Sequence, residues 1–260
     1  MKFLKILFTL LPLAFACSCV DTEENIVINE DNSGTYTSIM DMSKMIAMLS
    51  MTGAENNPDR KMENMDSLIH LKSLMSFTDS LSASEKELYK DGTIRIKLDK
   101  TNAEMKIIMS CPFKSIDKLA EIKENFMIVL NKMKAFEKVS GKGEDAADKR
   151  EDDDEMQKAF NPNTVPNRFT ATPGLIENSI PDPQSLKNTF LTDSSMIMMK
   201  QMVAMMGMPN YRTVITTPRQ IKSYSGNNPL LSTDKRSVIF TNTFTEMLEQ
   251  PEKMAYKVEY

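Results

Sequence analysis

Residues Thr93–Leu98 read Thr-Ile-Arg-Ile-Lys-Leu, a strict alternation of polar and apolar side chains. A strand sends successive side chains to opposite faces, so this run has one dry face and one wet face. Asp99–Asn102 is made of turn formers, and a second, more apolar run follows at Met105–Cys111. The chain therefore has to build a hairpin whose apolar face something else covers. The next segment offers that cover. Ile116, Leu119, Ile122, Phe126, Val129 and Met133 fall on one face of a long helix, with Ser115 placed to cap it.

Similar signals recur along the chain. Ile26–Ile28 and Thr35–Met40 flank Asn29–Gly34, where Asn, Asp and Ser favour a turn and Gly34 permits positive φ, so a hairpin is expected. Residues 20–25 read as a polar tether ahead of it. Asp41–Met51 carries apolar residues at helical spacing before Gly53, and residues 54–61 read as a loop. Met65–Met75 is ambiguous between helix and strand. Ser82 with Glu85 fits a capping box for a short helix closed by Gly92. Later strands are expected at Arg168–Thr172, Leu175–Asn178, Tyr211–Thr216, Ile221–Ser223, Ser237–Thr241 and Ala255–Tyr260. Helices are expected at Ser194–Met206 and Thr243–Leu248. Residues 140–163, with Asp152, Asp153 and Asp154, have almost nothing to bury and read as a solvated, disordered insert. Those consecutive carboxylates lack the alternating spacing and turn glycine of a dedicated calcium loop. The pattern specifies an α+β class: an antiparallel β-sheet with amphipathic helices packed on one face, as a single domain over 26–260.

Composition narrows the chemistry. The body has one histidine, His70, and one cysteine, Cys111, so a nucleophilic Cys–His pair is the only such pairing available. Cys111 lies in an apolar run where an inert buried thiol is the ordinary outcome. One His and one Cys do not make a zinc site. No Gly-x-Ser-x-Gly elbow or phosphate-binding Gly-Lys-Ser/Thr motif is present. We therefore expect a non-enzymatic protein with no cofactor and no metal. The formal net charge of -4 gives no broad attraction for nucleic acid. Arg212 and Arg219 could meet an anion, although a solvated strand end is the simpler reading. Tyr211, Tyr224, Tyr256 and Tyr260 read as aromatics on a half-buried sheet.

The 23 methionines are the compositional oddity. Met42, Met45, Met48 and Met51 recur every three residues, as do Met196, Met199, Met202 and Met205. Such stripes are core in most helices. Thioethers also adapt to varied apolar shapes, so Met42, Met45, Met48, Met196, Met199 and Met202 are candidates to line a groove for an apolar ligand such as lipid, or for a partner helix. A third reading is Cu(I) handling, because thioethers are soft ligands.

The N-terminus bears on location. Lys2 and Lys5 precede an apolar stretch, Ile6–Ala16, of signal-peptide length and too short to span a bilayer. Ala16-Cys17-Ser18-Cys19 resembles a bacterial lipobox, which implies removal of residues 1–18 and acylation of Cys19, with Cys17 as the alternative. The acidic Val20-Asp21-Thr22-Glu23-Glu24 that follows resembles the surface-export signal of Bacteroidota lipoproteins. No Asp follows either cysteine directly, which resembles an outer-membrane address. Several acyl chains together make a stable anchor where one would be marginal.

Ile28-Asn29-Glu30-Asp31-Asn32-Ser33-Gly34-Thr35-Tyr36, the segment Asp41-Met42-Ser43-Lys44-Met45 and Thr217-Pro218-Arg219-Gln220-Ile221-Lys222 resemble an uncharacterised family of Bacteroidota lipoproteins. The strand–turn–strand opening is more distantly similar to the LppM-type lipoprotein domain. That resemblance implies an α+β, lipid-transfer-like fold associated with phosphoinositide-type lipids. Asn32 stands where such openings often have Gly, and no binding residue carries over. The expected role is an outer-membrane-anchored binding or interaction module, its partners the bilayer and an apolar ligand or envelope protein. An assembly lipoprotein that docks other envelope proteins is the alternative.

Overall fold

In the computed structural model, which describes residues 21–44, 46–47, 64–76, 78–133, 168–192 and 209–260, the alternating run forms β4. To place it, the strands are β1 (Asp21–Ile28), β2 (Gly34–Asp41), β3 (Met65–His70), β4 (Thr93–Asp99) and β5 (Glu104–Phe113). After them come β6 (Arg168–Thr172), β7 (Leu175–Ser179), β8 (Asn210–Thr216), β9 (Ser223–Gly226), β10 (Leu230–Leu231), β11 (Ser237–Thr243) and β12 (Tyr256–Glu259). The helices are α1 (Leu71–Met75), α2 (Ala83–Tyr89), α3 (Leu119–Lys132), α4 (Pro183–Thr192) and α5 (Phe244–Glu249). The class is α+β, as the patterning requires.

The strands form two sheets rather than one. The larger runs β10-β11-β8-β1-β2-β5-β4-β3 and the smaller β6-β7-β12-β9. Every pairing is antiparallel except β1 with β8, which run parallel from Thr22 opposite Tyr211 to Val27 opposite Thr216. That pairing carries the later half of the chain into the same sheet as the first half.

One face of the large sheet is wet. It holds the Arg95–Asp66 pair at 2.7 Å, the Arg212–Glu23 pair at 2.8 Å and the Thr37–Ser110 hydroxyl contact at 3.2 Å. The other face holds Ile26, Ile28, Tyr36, Ile94, Ile96, Met109, Cys111, Ile215 and Phe240, all buried. Helix α3 lies against it, and its predicted face is buried throughout: Ile116, Leu119, Ile122, Phe126, Val129 and Met133. The small sheet closes the far side of the same core with Phe169, Ala171, Ile176, Tyr256 and Val258. Phe240 of the large sheet stacks on Tyr256 of the small one at 5.2 Å between ring centres.

Several expectations need correction. The polar stretch at 21–25 is no tether; it is the first part of β1, hydrogen-bonded on both sides. Three of its polar side chains are engaged there: Asp21 by Asn210 and Lys44, Glu23 by Arg212, and Glu24 by Lys123 and Tyr36. Gly34 does not take positive φ; in that turn Asn32 does, at 62°. Gly34 is required instead by close packing, since a Cβ there would lie 2.1 Å from the Val27 carbonyl oxygen and 2.4 Å from the Phe113 ring. Met65–Met75 is both strand and helix, breaking after His70 at the start of α1. Ser115 makes no side-chain cap; it precedes a 3-10 turn, Ile116–Lys118, that leads into α3. The capping box at Ser82 and Glu85 is present as expected.

Helix α4 was not anticipated. Its signal is local: Asp182 accepts from the Ser185 amide at 2.8 Å, and Pro183 stands at the helix start. Leu186 and Phe190, one turn apart, join Phe244, Met247 and Leu248 of α5 in a second, smaller core. The expected helix at Asp41–Met51 is described only at 43–44 and 46–47, and the helix at Ser194–Met206 and the insert at 140–163 lie outside the described residues. Among the described residues no helix is long and apolar enough to cross a membrane.

Candidate functional site

Strand alternation turns Glu24 to the same side as Ile26 and Ile28, into the space between the sheets. Lys123 arrives there from α3, four residues after Leu119 and three before Phe126, on the helix's apolar face. The two form an ion pair whose side chains keep only 9% (Lys123) and 17% (Glu24) exposure. The Tyr36 hydroxyl donates to the same Glu24 oxygen at 2.9 Å. The Lys123 ammonium also lies 5.8 Å from the Tyr36 ring centre and 5.5 Å from that of Phe169, a strand residue of the small sheet. A desolvated ammonium gains from facing aromatic rings. Around this pair, Phe126 meets Tyr36 edge-on at 6.1 Å and stacks on Tyr89 at 5.8 Å.

Burial, reinforced by the neighbouring Glu24 charge, pushes the Tyr36 and Tyr256 phenols well above their ordinary range. The Tyr256 hydroxyl is buried and has no hydrogen-bond partner among the described residues. The cluster is a charged clasp at the point where β1, β2, α3 and β6 meet. Sequence reasoning missed Glu24, Tyr36, Lys123 and Phe169. The usable signals were the shared parity of Glu24 with Ile26 and the position of Lys123 on an apolar helix face.

A second set of residues gathers at the Asp21 end of the large sheet. Asp21 accepts from the Asn210 amide at 3.1 Å and from its side chain at 3.2 Å, and it meets Lys44 at 3.7 Å. On the next strands Lys106 reaches Asp41 at 3.5 Å and Glu104 at 3.1 Å, and Lys97 reaches Glu104 at 2.6 Å. Asp41 holds the Ser43 amide at 3.0 Å, and the Ser43 hydroxyl accepts from the Met105 amide at 3.1 Å. Burial would raise the Asp41 carboxyl, yet Ser43 and Lys106 together hold it below its ordinary value. The acids at this sheet end are thus matched by lysines or amides.

Of the methionine candidates, Met42 lies at this end, its amide donating to the Met105 carbonyl at 2.8 Å. Met45, Met48, Met196, Met199 and Met202 lie outside the described residues, as do Cys17 and Cys19. The structure does not bring His70 to Cys111. His70 is exposed on β3, Cys111 is buried on β5, and β4 runs between them. Burial, with Asp91 adding to it, pushes the Cys111 thiol up to about 12. Arg212 is engaged by Glu23, and Arg219 is exposed on a loop. Tyr256 and Tyr260 are buried, while Tyr224 is exposed. Among the described residues no group of three or more His, Cys, Asp or Glu could hold a metal ion.

No family model and no curated protein sequence matches this chain. Among solved structures, the chain is similar to the folded domain of the Mycobacterium tuberculosis LppM protein. That match covers 95% of this chain and 92% of that one, at 11% identity and a TM-score of 0.35.

Proposed function

We propose that this chain is a lipid-anchored, non-enzymatic binding or interaction module of the bacterial envelope, held at the outer membrane by an acylated Cys19. The observation that carries the reading is the spacing between the lipobox-like Ala16-Cys17-Ser18-Cys19 and the fold. β1 begins at Asp21, two residues past Cys19, and lies inside the large sheet with strands on both sides. A signal segment that stayed attached there would leave an apolar tail, Ile6–Ala16, on a finished domain. Cleavage before Cys19 disposes of that tail, and acylation supplies membrane attachment without a spanning helix.

The described residues next to both methionine-rich stretches, Met42 and Pro209, stand at the Asp21 end of the sheet. This supports an apolar ligand or partner taken up close to the anchor. The buried Glu24–Lys123 clasp, in turn, supports a body of fixed shape, suited to presenting a surface.

The test is the intact mass of protein recovered from membranes of a bacterium that processes lipoproteins. A mature chain beginning at Cys19 with acyl mass supports the anchor, and Cys19→Ala should abolish membrane retention. Retention of residues 1–16, or no acyl mass on either cysteine, overturns it. Lipid extracted from the purified body and identified by mass spectrometry tests the ligand: a body that never retains or exchanges lipid leaves protein partners as the binding function.

A further inference from the structure

The order of the strands fixes which end of the body an anchor at Cys19 would hold to the bilayer. Asp21 pairs with Asp41, and Asp41 pairs with Lys106, so the three lie at one level across β1, β2 and β5. From Lys106 the β5 strand continues two residues to Glu104, which pairs with Asp99 of β4. Turn 100–103 therefore projects about 7 Å past the level of Asp21 along the strand. The link from Asp21 back to Cys19 is also two residues, a reach of about 7 Å at full extension. Sheet twist of about 20–25° per strand shortens the projection but does not reverse it.

The opposite end of β1 is Ile28, where turn 29–33 leads into β2. That turn is seven strand steps from Asp21, roughly 23 Å.

The exposed Lys114, Lys235 and Arg236 stand at the far end of the sheet, so charge does not divide the two ends as wholes, but the turns 100–103 and 29–33 differ in the same sense. At the Asp21 end the acids Asp21, Asp41 and Glu104 are each paired with a lysine. Asp99 is taken up by the Thr101 and Asn102 amides, at 2.9 and 3.2 Å. Lys100 stands on the turn itself. The far turn carries Glu30 and Asp31, both exposed, which anionic headgroups would repel.

We infer that the Asp21 end of the large sheet, with turn 100–103 projecting from it, rests against the lipid headgroup layer. The inference rests on the anchor proposed above and adds an orientation to it. The wet face of the sheet and turn 29–33 are then left for a partner in the aqueous phase.

The experiment uses full-length protein processed in cells, purified with its acyl chains and returned to vesicles of phosphatidylethanolamine and phosphatidylglycerol. Thr101→Cys and Glu30→Cys, both at exposed positions, are each labelled with a small fluorophore. Cys111 is buried and does not compete for label in the folded protein. Quenching is read with phosphatidylcholine carrying a nitroxide on its headgroup. The expected result is loss of most of the fluorescence at position 101 and little loss at position 30. Equal quenching at both, quenching at neither, or stronger quenching at position 30 overturns the orientation while leaving the anchor intact. A mass spectrum without acyl chains, or protein that fails to float with the vesicles, removes the anchor and the orientation together. That outcome is read independently of the fluorescence.

Discussion

Replacing Lys123 by Met should cost far more than replacing Lys123 and Glu24 together. Lys123→Met keeps most of the side-chain volume and removes the charge. It leaves the Glu24 carboxylate between the sheets, with the Tyr36 hydroxyl at 2.9 Å. Breaking a buried ion pair from one side costs about 3–5 kcal/mol, because the remaining charge stays desolvated. Glu24 keeps 17% exposure, which places this variant near the lower end, about 3 kcal/mol. Glu24→Gln takes the carboxylate away from Lys123, which is more deeply buried, although the new amide oxygen can still accept from Tyr36. It should cost a similar amount. The double variant removes both charges and keeps an acceptor for Tyr36, so it should lie within about 1–2 kcal/mol of the parent. Urea unfolding followed by circular dichroism at neutral pH gives the three values as shifts in midpoint at constant slope. Single variants that each cost under about 1 kcal/mol and add in the double would refute the reasoning. The pair would then be screened by water, and apolar packing alone would join the sheets.

Three further outcomes follow from particular contacts. Burial works to raise the Glu246 carboxyl, but the Thr243 amide, Lys253 and Asn227 outweigh it and hold it down at about 2 from an ordinary 4.5. Its stabilisation is complete above pH 4.5 and is lost as pH falls toward 2, on the order of 2–3 kcal/mol. Glu246→Gln should lower stability at pH 7 and flatten the acid limb of stability measured in urea between pH 5 and 2.5. Gly34→Ala would force a methyl to within 2.1 Å of the Val27 carbonyl oxygen and should cost about 2–3 kcal/mol, read as a drop in urea midpoint. Cys111, buried and with its thiol pushed up to about 12, should resist an aromatic disulfide reagent in the folded protein and react at once in urea. Prompt reaction without denaturant would mean that the core opens locally.

What the amino-acid sequence settled by itself was local. Alternation at Thr93–Leu98 gave a half-buried strand because the side-chain period of a strand is two, whatever its neighbours. The helical spacing from Ile116 to Met133 and the Ser82–Glu85 box were legible for the same reason: their partners lie within one or two turns. Tertiary structure decided which strands meet. The parallel pairing of β1 with β8 joins Asp21 to Asn210 across 189 positions, and nothing local in either segment specifies it. It turned a polar stretch that reads as a tether into an interior strand. It also gave Glu24, marked in the sequence only by its parity with Ile26, a buried place opposite Lys123. Gly34 shows the same division: its small size was visible in the sequence, but the reason for it, the Phe113 ring packed against it, exists only once β5 lies beside β2. Periodicity is carried by a residue's nearest neighbours along the chain. Desolvation, charge pairing and close packing depend on neighbours in space, which only the folded chain supplies.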